Sequence, residues 1–282
     1  MGITPPAVSK RLAVLELRLG VRLLNRTTRR MSLTREGEVY LAGSDHILRE
    51  IEGLEHAVTS GRVASRGLVK VDATLGFGRS YIAPAISAFV RLYPEVQVQL
   101  HLGDRPLNLR DQGFDIGIRV GNLPEQRMVA VRIASNRRFF CASPAYIEQF
   151  SKPATPKDLQ HHSCIVIRQF DDTYGAWQLR RGNRHETVKV GGALSTNDGQ
   201  SAVQCALDGQ GILLRSDWEL APYLRSGALV QLLEEWQAPP ADIYAVYPER
   251  AHLPAKVRTF IDFLVKHFSK HRATGRSSDG HW

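Results

Sequence analysis

The chain has 282 residues, of which 43% are hydrophobic and 23% are charged, as in a soluble globular protein of two ordinary domains. Its 3 cysteines lie far apart and form no CxxC pair, so the sequence suggests neither a disulfide scaffold nor a zinc site. No apolar leader follows the N-terminal charges, and no run of about 18 apolar residues occurs. We therefore expect a cytoplasmic protein without a membrane segment.

Positive charge is concentrated near the N-terminus. The formal net charge is +9, and residues 1–35 alone carry eight lysines and arginines against one acid, Glu16. A concentrated basic segment binds polyanions because binding releases their condensed counterions, and nucleic acid is the first candidate. The alternative is a basic surface that faces only solvent.

The first segment of the chain predicts a helix. Thr4 is a favourable N-cap, and Pro5 is a favourable first residue because the N–H that proline lacks would have no helical partner there. One face carries an apolar stripe at the spacing i, i+4, i+7, formed by Val8, Leu12 and Leu15. The other face is free to meet a partner, so the pattern predicts a DNA-reading helix.

A basic loop follows this helix. Gly20 marks the helix end, and the apolar residues around it predict a short strand. The loop reads N-R-T-T-R-R over residues 25–30, and its arginines could clamp phosphates or enter a minor groove, since a guanidinium binds phosphate in a bidentate fork. The other interpretation is a polar hairpin tip.

A long helix is predicted from its cap at Thr34 to about Val63. A heptad pattern runs along it, formed by Tyr40, Ser44, Ile47, Ile51, Leu54 and Val58. This spacing predicts pairing with the same helix of a second chain. The alternative is an amphipathic helix that lies on its own domain. Residues 61–67 then predict a hinge or linker.

Alternating strands and helices are predicted for the rest of the chain, which indicates an α/β fold with a largely parallel sheet. The predicted strands are 68–73, 96–102, 115–119, 138–142, 164–168, 212–215, 229–232 and 243–247, with a hairpin at 177–190. The predicted helices are 78–93, 106–112, 144–150, 199–207 and 254–268.

Five segments carry a resemblance to a known family. They are residues 5–37, which begin P-P-A-V-S-K-R-L, and the later segments Gly67–Ala73, Gly113–Gly121, Ala142–Tyr146 and Ala255–Leu264. The first is close to the winged helix-turn-helix signature of the LysR-type transcriptional regulators, and the others follow in the order of that family. Over essentially its full length, the chain resembles a LysR-type regulator.

The resemblance implies a division into domains. It implies a partial winged helix-turn-helix domain at residues 1–33, a dimerisation helix and hinge at 34–66 and an effector-binding domain at 67–268. The small, polar and basic residues 269–282 predict a disordered tail. The effector domain would have two α/β lobes similar to type 2 periplasmic binding proteins, with lobe I at 67–137 and 245–268 and lobe II at 138–244. The family pattern places two further helices ahead of Met1, so we expect this chain to lack the first part of the DNA-binding domain.

The resemblance also implies DNA-binding residues. Those on the first helix would contact bases and phosphates, and those in the wing would contact the backbone or the minor groove. They are Thr4, Pro5, Pro6, Ser9, Lys10, Arg11, Arg26, Thr28, Arg29 and Arg30.

A cleft between the lobes is implied as the effector site. Thr74 matches the family position at a helix N-terminus, where backbone N–H groups suit a carboxylate or similar anion. Gly76 and Gly78 form only a G-x-G, with Tyr81 where a dinucleotide motif requires glycine, so a Rossmann site is rejected. The residues expected at the cleft are Thr74, Asp104, Arg105, Arg119, Thr196 and Asn197. For Asn197, helix capping is the competing explanation.

Enzyme motifs are missing from the sequence. It has no G-x-S-x-G and no H-E-x-x-H, and the adjacent His161 and His162 lack metal-ligand spacing, so we expect no catalysis, no metal and no cofactor. A free-standing solute-binding protein is the alternative function, opposed by the basic N-terminus. We expect a homodimer or homotetramer that binds promoter DNA and shifts between two DNA-bound geometries when a small, anionic effector binds.

Overall fold

The computed structural model describes residues 5–26, 31–58, 65–121, 128–168, 175–249 and 253–269. The chain forms two compact units. A smaller N-terminal unit consists mainly of residues 1–63, and a larger unit contains most of the remainder. The division falls within the predicted hinge segment.

The N-terminal unit contains α1 (Pro5–Leu19), β1 (Leu24–Arg26), β2 (Met31–Leu33) and α2 (Arg35–Val58). Strands β1 and β2 pair antiparallel and form the stem of the predicted wing. Helix α1 ends at Gly20, whose φ of 70° lies in the left-handed region that glycine adopts without strain. The two predicted helices and the short strand of this unit are confirmed.

Side chains at the helix ends connect these elements. Oε1 of Glu16 in α1 accepts a hydrogen bond of 2.7 Å from the backbone N–H of Leu23. The hydroxyl of Thr34 donates to the carbonyl of Arg22 at 2.7 Å and accepts from the N–H of Gly37 at 2.9 Å. Thr34 therefore caps α2 as predicted, and it also ties α2 to the segment that leads into the wing.

The larger unit has two α/β lobes. In chain order its elements are β3 (Gly67–Thr74), α3 (Leu75–Phe77), a π-helical turn (Gly78–Ile82), α4 (Ala83–Leu92), β4 (Val96–Gly103), β5 (Ile116–Val120), β6 (Met128–Ala134), β7 (Arg138–Ala142), α5 (Pro144–Phe150), a 3-10 turn (Pro156–His161), β8 (Cys164–Ile167), β9 (Ala176–Arg181), β10 (Arg184–Lys189), β11 (Ser195–Thr196), α6 (Gly199–Leu207), β12 (Ile212–Ser216), α7 (Asp217–Ser226), β13 (Val230–Leu232), β14 (Ile243–Pro248) and α8 (Ala255–His267).

Each lobe is built on one five-stranded sheet. Lobe I has the strand order β4-β3-β5-β14-β6, and lobe II has the order β11-β8-β12-β7-β13. The chain passes between the lobes twice, at residues 135–137 and 233–242. The side-chain amide of Asn136, in the first crossing, donates to the carbonyl of Ala241 in the second at 2.8 Å. The two crossing segments are thus joined side by side.

The central strands of lobe II are buried on both faces. Along β7, Phe140 packs in one apolar cluster and Cys141 in the cluster on the other face of the sheet. Ile212 and Leu213 of β12 divide in the same way. A strand covered on both sides has no polar face, so it reads as a continuous apolar run. This explains why these strands were readily predicted from the sequence.

Two predictions about the larger unit are wrong. Residues 106–108 are irregular and residues 109–112 form a turn, so the predicted helix is absent: the carbonyl of Leu107, which a helix would pair with the N–H four residues later, accepts from Arg119 instead. The sheets are also less parallel than predicted. Strands β14 and β6 of lobe I, and β7 and β13 of lobe II, pair antiparallel with their neighbours.

The strand β6 and the helix α7 were not predicted. Helix α7 contains Pro222, which discourages a helix because proline lacks the N–H that would bond to the carbonyl four residues earlier. That carbonyl belongs to Trp218, and it accepts a hydrogen bond of 3.0 Å from the hydroxyl of Tyr81 in lobe I. A tertiary contact thus satisfies the group that Pro222 leaves without its helical partner. Strand β6 carries an alternating pattern at Val129, Val131 and Ile133 that could have revealed it.

Candidate functional site

The lobes meet at the carboxyl ends of their parallel strands, where ligands of open α/β sheets bind. The side-chain amide of Asn197 in lobe II donates a hydrogen bond of 2.7 Å to Oδ2 of Asp104 in lobe I. The guanidinium of Arg79 in lobe I donates to Oε1 of Gln200 in lobe II. The structure therefore brings Asp104 and Asn197 together from opposite lobes. We call this region the interlobe cleft and define it by residues 74–79, 104–105, 196–200 and 215–219.

Thr74 and Thr196 both lie at strand ends that border the cleft. Thr74 is the last residue of β3, and its half-buried side chain does not cap the helix that follows. Thr196 ends β11, and its hydroxyl oxygen accepts a hydrogen bond of 3.0 Å from the N–H of Asp198. The Thr196 hydroxyl thus supports the start of α6, and of the two hydroxyls that of Thr74 is better placed to meet a ligand.

Helix capping at α6 falls to Asp198 and not to Asn197. The Asp198 carboxylate accepts from the N–H of Ser201 at 2.9 Å and from its hydroxyl at 2.8 Å. Burial alone would raise the pKa of Asp198, but these hydrogen bonds and the charge of Arg79 outweigh it and lower the pKa. The carboxylate therefore stays ionised, and the Asn197 amide is left to bridge the lobes.

Arg119 is held inside lobe I. Only 6% of the residue is exposed, and its guanidinium lies 2.7 Å from Oδ2 of Asp72 and donates to the carbonyl of Leu107 at 3.2 Å. Nδ1 of His101 lies 2.8 Å from the other Asp72 oxygen. Arg119 thereby supports the loop that carries the exposed Arg105. Direct contact of Arg119 or Arg105 with an effector stays a prediction.

An aromatic cluster joins the lobes beside the cleft. The indole of Trp218 in lobe II packs edge-on against the rings of Phe77, at 5.5 Å, and Tyr81, at 5.8 Å, in lobe I. Burial raises the pKa of Tyr81; the charge of Arg225 opposes this shift, and the charge of Asp217 adds to it. The Tyr81 hydroxyl is therefore protonated at neutral pH, as its hydrogen bond to the Trp218 carbonyl requires.

Sequence reasoning missed several residues of the cleft: Arg79, Gln200, Arg215, Trp218 and Glu219. Arg215 and Glu219 form an ion pair at the end of β12 and the start of α7. Because α7 was not predicted, nothing placed this segment at the cleft. The available signal was the position of Arg215 at the carboxyl end of a buried strand, where a charged side chain is unexpected unless it has a role.

The basic N-terminal helix presents polar residues to solvent. Ser9, Lys10 and Arg11 are exposed on α1, whereas Leu12 and Leu15 are half-buried. Val8, the third residue of the predicted apolar stripe, is 51% exposed. The exposed residues are consistent with a partner-facing surface on α1.

Other predicted DNA-binding residues lie partly or wholly outside the described residues. Pro5 and Pro6 open α1 and Arg26 ends β1, but their side chains are not among those described. The remaining ones, which lie outside altogether, are Thr4, Thr28, Arg29 and Arg30.

Features that would indicate other functions are few. Burial raises the pKa of Cys141 and of Cys164 to about 12, so neither thiol is a nucleophile at neutral pH. Within the described ranges, no group of three or more His, Cys, Asp or Glu side chains is placed to hold a metal ion. No helix in the same ranges is both long and apolar enough to span a bilayer.

Comparison with known families matches both parts of the chain. Residues 63–269 match the LysR substrate binding domain, and residues 1–38 match the bacterial regulatory helix-turn-helix protein family of LysR type. The chain is 39% identical over 271 residues to the HTH-type transcriptional regulator DmlR of Escherichia coli K12, with 96% of this chain and 88% of that protein covered. It is also 39% identical over 265 residues to the HTH-type transcriptional activator TtdR of the same strain, with 94% and 85% covered.

Solved structures show the same similarity. The full-length structure of the Vibrio cholerae virulence activator AphB matches with a TM-score of 0.64 and 26% identity, covering 94% of this chain and 91% of that one. CrgA, a LysR-type transcriptional regulator from Neisseria meningitidis, matches with a TM-score of 0.64 and 27% identity, covering 94% and 90%. The two-lobed fold and the helical N-terminal unit are thus shared with solved transcriptional regulators.

Proposed function

Because this chain belongs to the LysR family of DNA-binding transcriptional regulators, which sense small molecules, we propose that its effector is an anionic metabolite bound in the interlobe cleft. Binding there would alter the geometry in which a dimer or tetramer holds promoter DNA. Such a regulator works in the bacterial cytoplasm and has no catalytic activity. The observation that carries the proposal is the convergence of both lobes on one region, where Asp104 and Asn197 meet.

The N-terminal unit supports the DNA-binding part of the proposal. Residues 1–35 carry a net charge of +7, and α1 exposes Ser9, Lys10 and Arg11. In a helix-turn-helix domain the recognition helix lies in the major groove, and its N-terminal residues reach the base edges. Lysine and arginine on this surface would contact phosphates and fix the position of the helix on the duplex.

Lys10→Ala is expected to weaken DNA binding and to reduce its dependence on salt. If Lys10 neutralises one phosphate, the slope of log K against log salt should fall by about 0.9. The slope is measured by gel shift of a promoter fragment at several salt concentrations. Lys266→Ala is the matched control, because Lys266 is an exposed lysine at the end of α8 in the larger unit. An unchanged slope in Lys10→Ala would show that Lys10 does not contact a phosphate.

Helix α2 supports assembly into dimers. Ile47 and Ile51 occupy the predicted heptad positions and are 60% and 48% exposed in the single chain. Apolar side chains at this spacing pack against an equivalent helix and leave water. Analytical ultracentrifugation of the whole chain should therefore give a dimer or a tetramer.

A free-standing solute-binding protein would have the same two-lobed domain. The two functions differ in two measurements made on one preparation, gel shift and sedimentation. Sequence-specific retention of DNA by a dimer or tetramer supports the regulator. A monomer that binds a small anion and ignores DNA would contradict the proposed function.

An effector switches such a protein only if it binds the two conformations with different affinity. Contacts that cross the cleft, such as those from Arg79 to Gln200 and from Asn197 to Asp104, would be made in one conformation and strained in the other. Both pairs are exposed and polar, so they can be exchanged for water at small cost. A ligand between the lobes can therefore shift the balance.

A further inference from the structure

A nearly buried ion pair lies at the lobe II side of the cleft. Nε of Arg215, in β12, donates to Oε2 of Glu219, in the first turn of α7. Only 13% of the Arg215 side chain and 12% of the Glu219 side chain are exposed. Removing two charges from water costs free energy that the attraction between them often does not recover. A gain in stability is therefore a weak explanation for this ion pair, and a functional role is the alternative.

Gly199 leaves room for the Arg215 guanidinium, and Gly76 lies close to it. A Cβ at Gly199, the first residue of α6, would lie 1.8 Å from Nη2 and 2.2 Å from Cζ of Arg215. A Cβ at Gly76 in lobe I would lie 3.6 Å from Nη2 of Arg215 and 3.9 Å from Oε1 of Glu219. The guanidinium therefore lies against the start of α6 and close to the backbone of the opposite lobe. A side chain at Gly199 would overlap the guanidinium, whereas a Cβ at Gly76 would only be in van der Waals contact with it.

The electrostatics of this position favour an anion. The N-terminus of α6 carries the positive end of the helix dipole, so a guanidinium placed there is unfavourable without a counter-charge. The Glu219 carboxylate pairs with Arg215, and the Asp198 carboxylate is engaged with Ser201 at the start of α6. The ionised Asp198 carboxylate thus serves the N-terminus of α6, and the Glu219 carboxylate is the counter-charge of the Arg215 guanidinium.

Trp218 adds an unused hydrogen-bond donor. The indole is 5% exposed, and within the described residues its Nε1 is buried without an acceptor. The Arg215 guanidinium lies over the same ring, 5.5 Å from its centroid. A buried N–H without an acceptor is destabilising and rare in proteins. An oxygen atom of a bound ligand that reached Nε1 would remove that penalty.

We propose that Arg215 is the anion receptor of the interlobe cleft and that Glu219 is a built-in competitor, whose carboxylate takes the place of an effector carboxylate. The proposal rests on the effector site proposed above and names its ligand class, a small carboxylic acid anion. Binding exchanges one carboxylate for another on Arg215, so the guanidinium stays paired throughout. Glu219 comes directly after Trp218 on α7, and the Trp218 indole packs against Phe77 and Tyr81 of lobe I. Displacement of Glu219 therefore also affects this aromatic contact between the lobes.

The test compares five purified variants of this whole chain with the wild-type chain. They are Glu219→Gln, Arg215→Gln, the double variant, and the control variants Glu235→Gln and Arg181→Gln. Arg181 and Glu235 form a matched ion pair at the surface of lobe II, 2.8 Å apart, with 51% and 70% of their side chains exposed. The probes are sodium salts of carboxylic acids from acetate to glutarate, with sulfate and chloride at equal ionic strength. Binding is read from tryptophan fluorescence and from the thermal unfolding midpoint.

Removal of the competitor should strengthen binding. Glu219→Gln is expected to bind the best carboxylate of the series about tenfold more tightly than the wild type. The ligand then no longer has to displace the Glu219 carboxylate from Arg215, and about tenfold corresponds to the loss of one such charge-assisted contact. Arg215→Gln and the double variant should bind it at least tenfold more weakly than the wild type, and both surface variants should match the wild type. A carboxylate should also raise the unfolding midpoint of Glu219→Gln more than that of the wild type, because it restores the counter-charge of Arg215.

Three results would overturn the proposal. They are equal affinity of the wild type and Glu219→Gln, undiminished affinity in Arg215→Gln, and a Glu219→Gln protein that responds to carboxylates no more than to sulfate or chloride. None of these bears on DNA retention by the wild-type chain, which tests the proposed function separately. The double variant lacks both charges, and its unfolding midpoint is measured without added anion. If this midpoint is higher than that of a destabilised single variant, the loss of stability in the single variant comes from an unpaired charge and not from a misfolded lobe.

Discussion

Replacing Asp72 by asparagine should lower the free energy of unfolding of the larger unit by about 3–5 kcal/mol. Asp72 is 1% exposed, and its Oδ2 lies 2.7 Å from the Arg119 guanidinium, which is itself buried. Asparagine keeps the shape of the side chain but leaves Arg119 with an uncompensated charge in a dry environment. Carbonyl oxygens, such as that of Leu107, accept from Arg119 but cannot neutralise it.

Urea unfolding followed by tryptophan fluorescence gives the measurement. The double variant Asp72→Asn with Arg119→Gln should recover part of the loss, because it removes both charges from the interior. Glu235→Gln is the control, since breaking its exposed pair with Arg181 should change the free energy by less than about 1 kcal/mol. If Asp72→Asn lowered the free energy of unfolding by no more than Glu235→Gln does, the Asp72–Arg119 ion pair would not be a main source of stability in lobe I.

The same network assigns Arg119 an indirect role at the cleft. Asp72 accepts a hydrogen bond from the N–H of Leu107, and Arg119 donates one to its carbonyl. These two bonds fix the position of the loop that carries Asp104 and Arg105. We therefore interpret Arg119 as a positioning residue. Its removal should disturb the contact between Asp104 and Asn197, even though its own guanidinium points to Asp72 and not to a ligand.

Local signals predicted much of the fold. Helix ends at Gly20 and Thr34 follow from backbone conformation and capping, which depend on a few neighbouring residues. The strands around Phe140 and Leu213 follow from continuous apolar runs. Predictions failed where distant groups decide: the Arg119 guanidinium takes up the Leu107 carbonyl, and residues 106–112 do not form the predicted helix.

The candidate site was predictable in part from the family resemblance. That resemblance assigned Thr74 and Asn197 to the cleft; Thr74 ends a strand, Asn197 follows one, and both precede helices. Arg215 and Trp218 depend on α7, whose Pro222 hides the helix in the sequence. The carbonyl that Pro222 leaves without a helical partner bonds to Tyr81 from the other lobe, and no local pattern shows such a contact.

Gly37 is a further position that the sequence does not single out, and its replacement by alanine should damage the DNA-binding unit. A Cβ at Gly37, in the first turn of α2, would lie 2.0 Å from the carbonyl oxygen of Leu23 and 2.9 Å from its carbonyl carbon. These are backbone atoms of a buried residue that Glu16 also holds in place, so no side chain can rotate away. Overpacking of this kind destabilises a protein by roughly 1–3 kcal/mol.

The separation of α2 from the segment at Leu23 should displace the wing, which begins directly after it. Gly37→Ala is therefore expected to lower affinity for promoter DNA about tenfold or more, the equivalent of roughly 1.4 kcal/mol, while the unfolding midpoint of the larger unit stays unchanged. Gly43→Ala is the matched control in the same helix, because a Cβ there meets no atom within 4 Å. Alanine at Gly43 should stabilise α2 by up to about 1 kcal/mol and leave DNA affinity intact. Equal DNA affinity in the two alanine variants would show that the close approach of α2 to Leu23 does not position the wing.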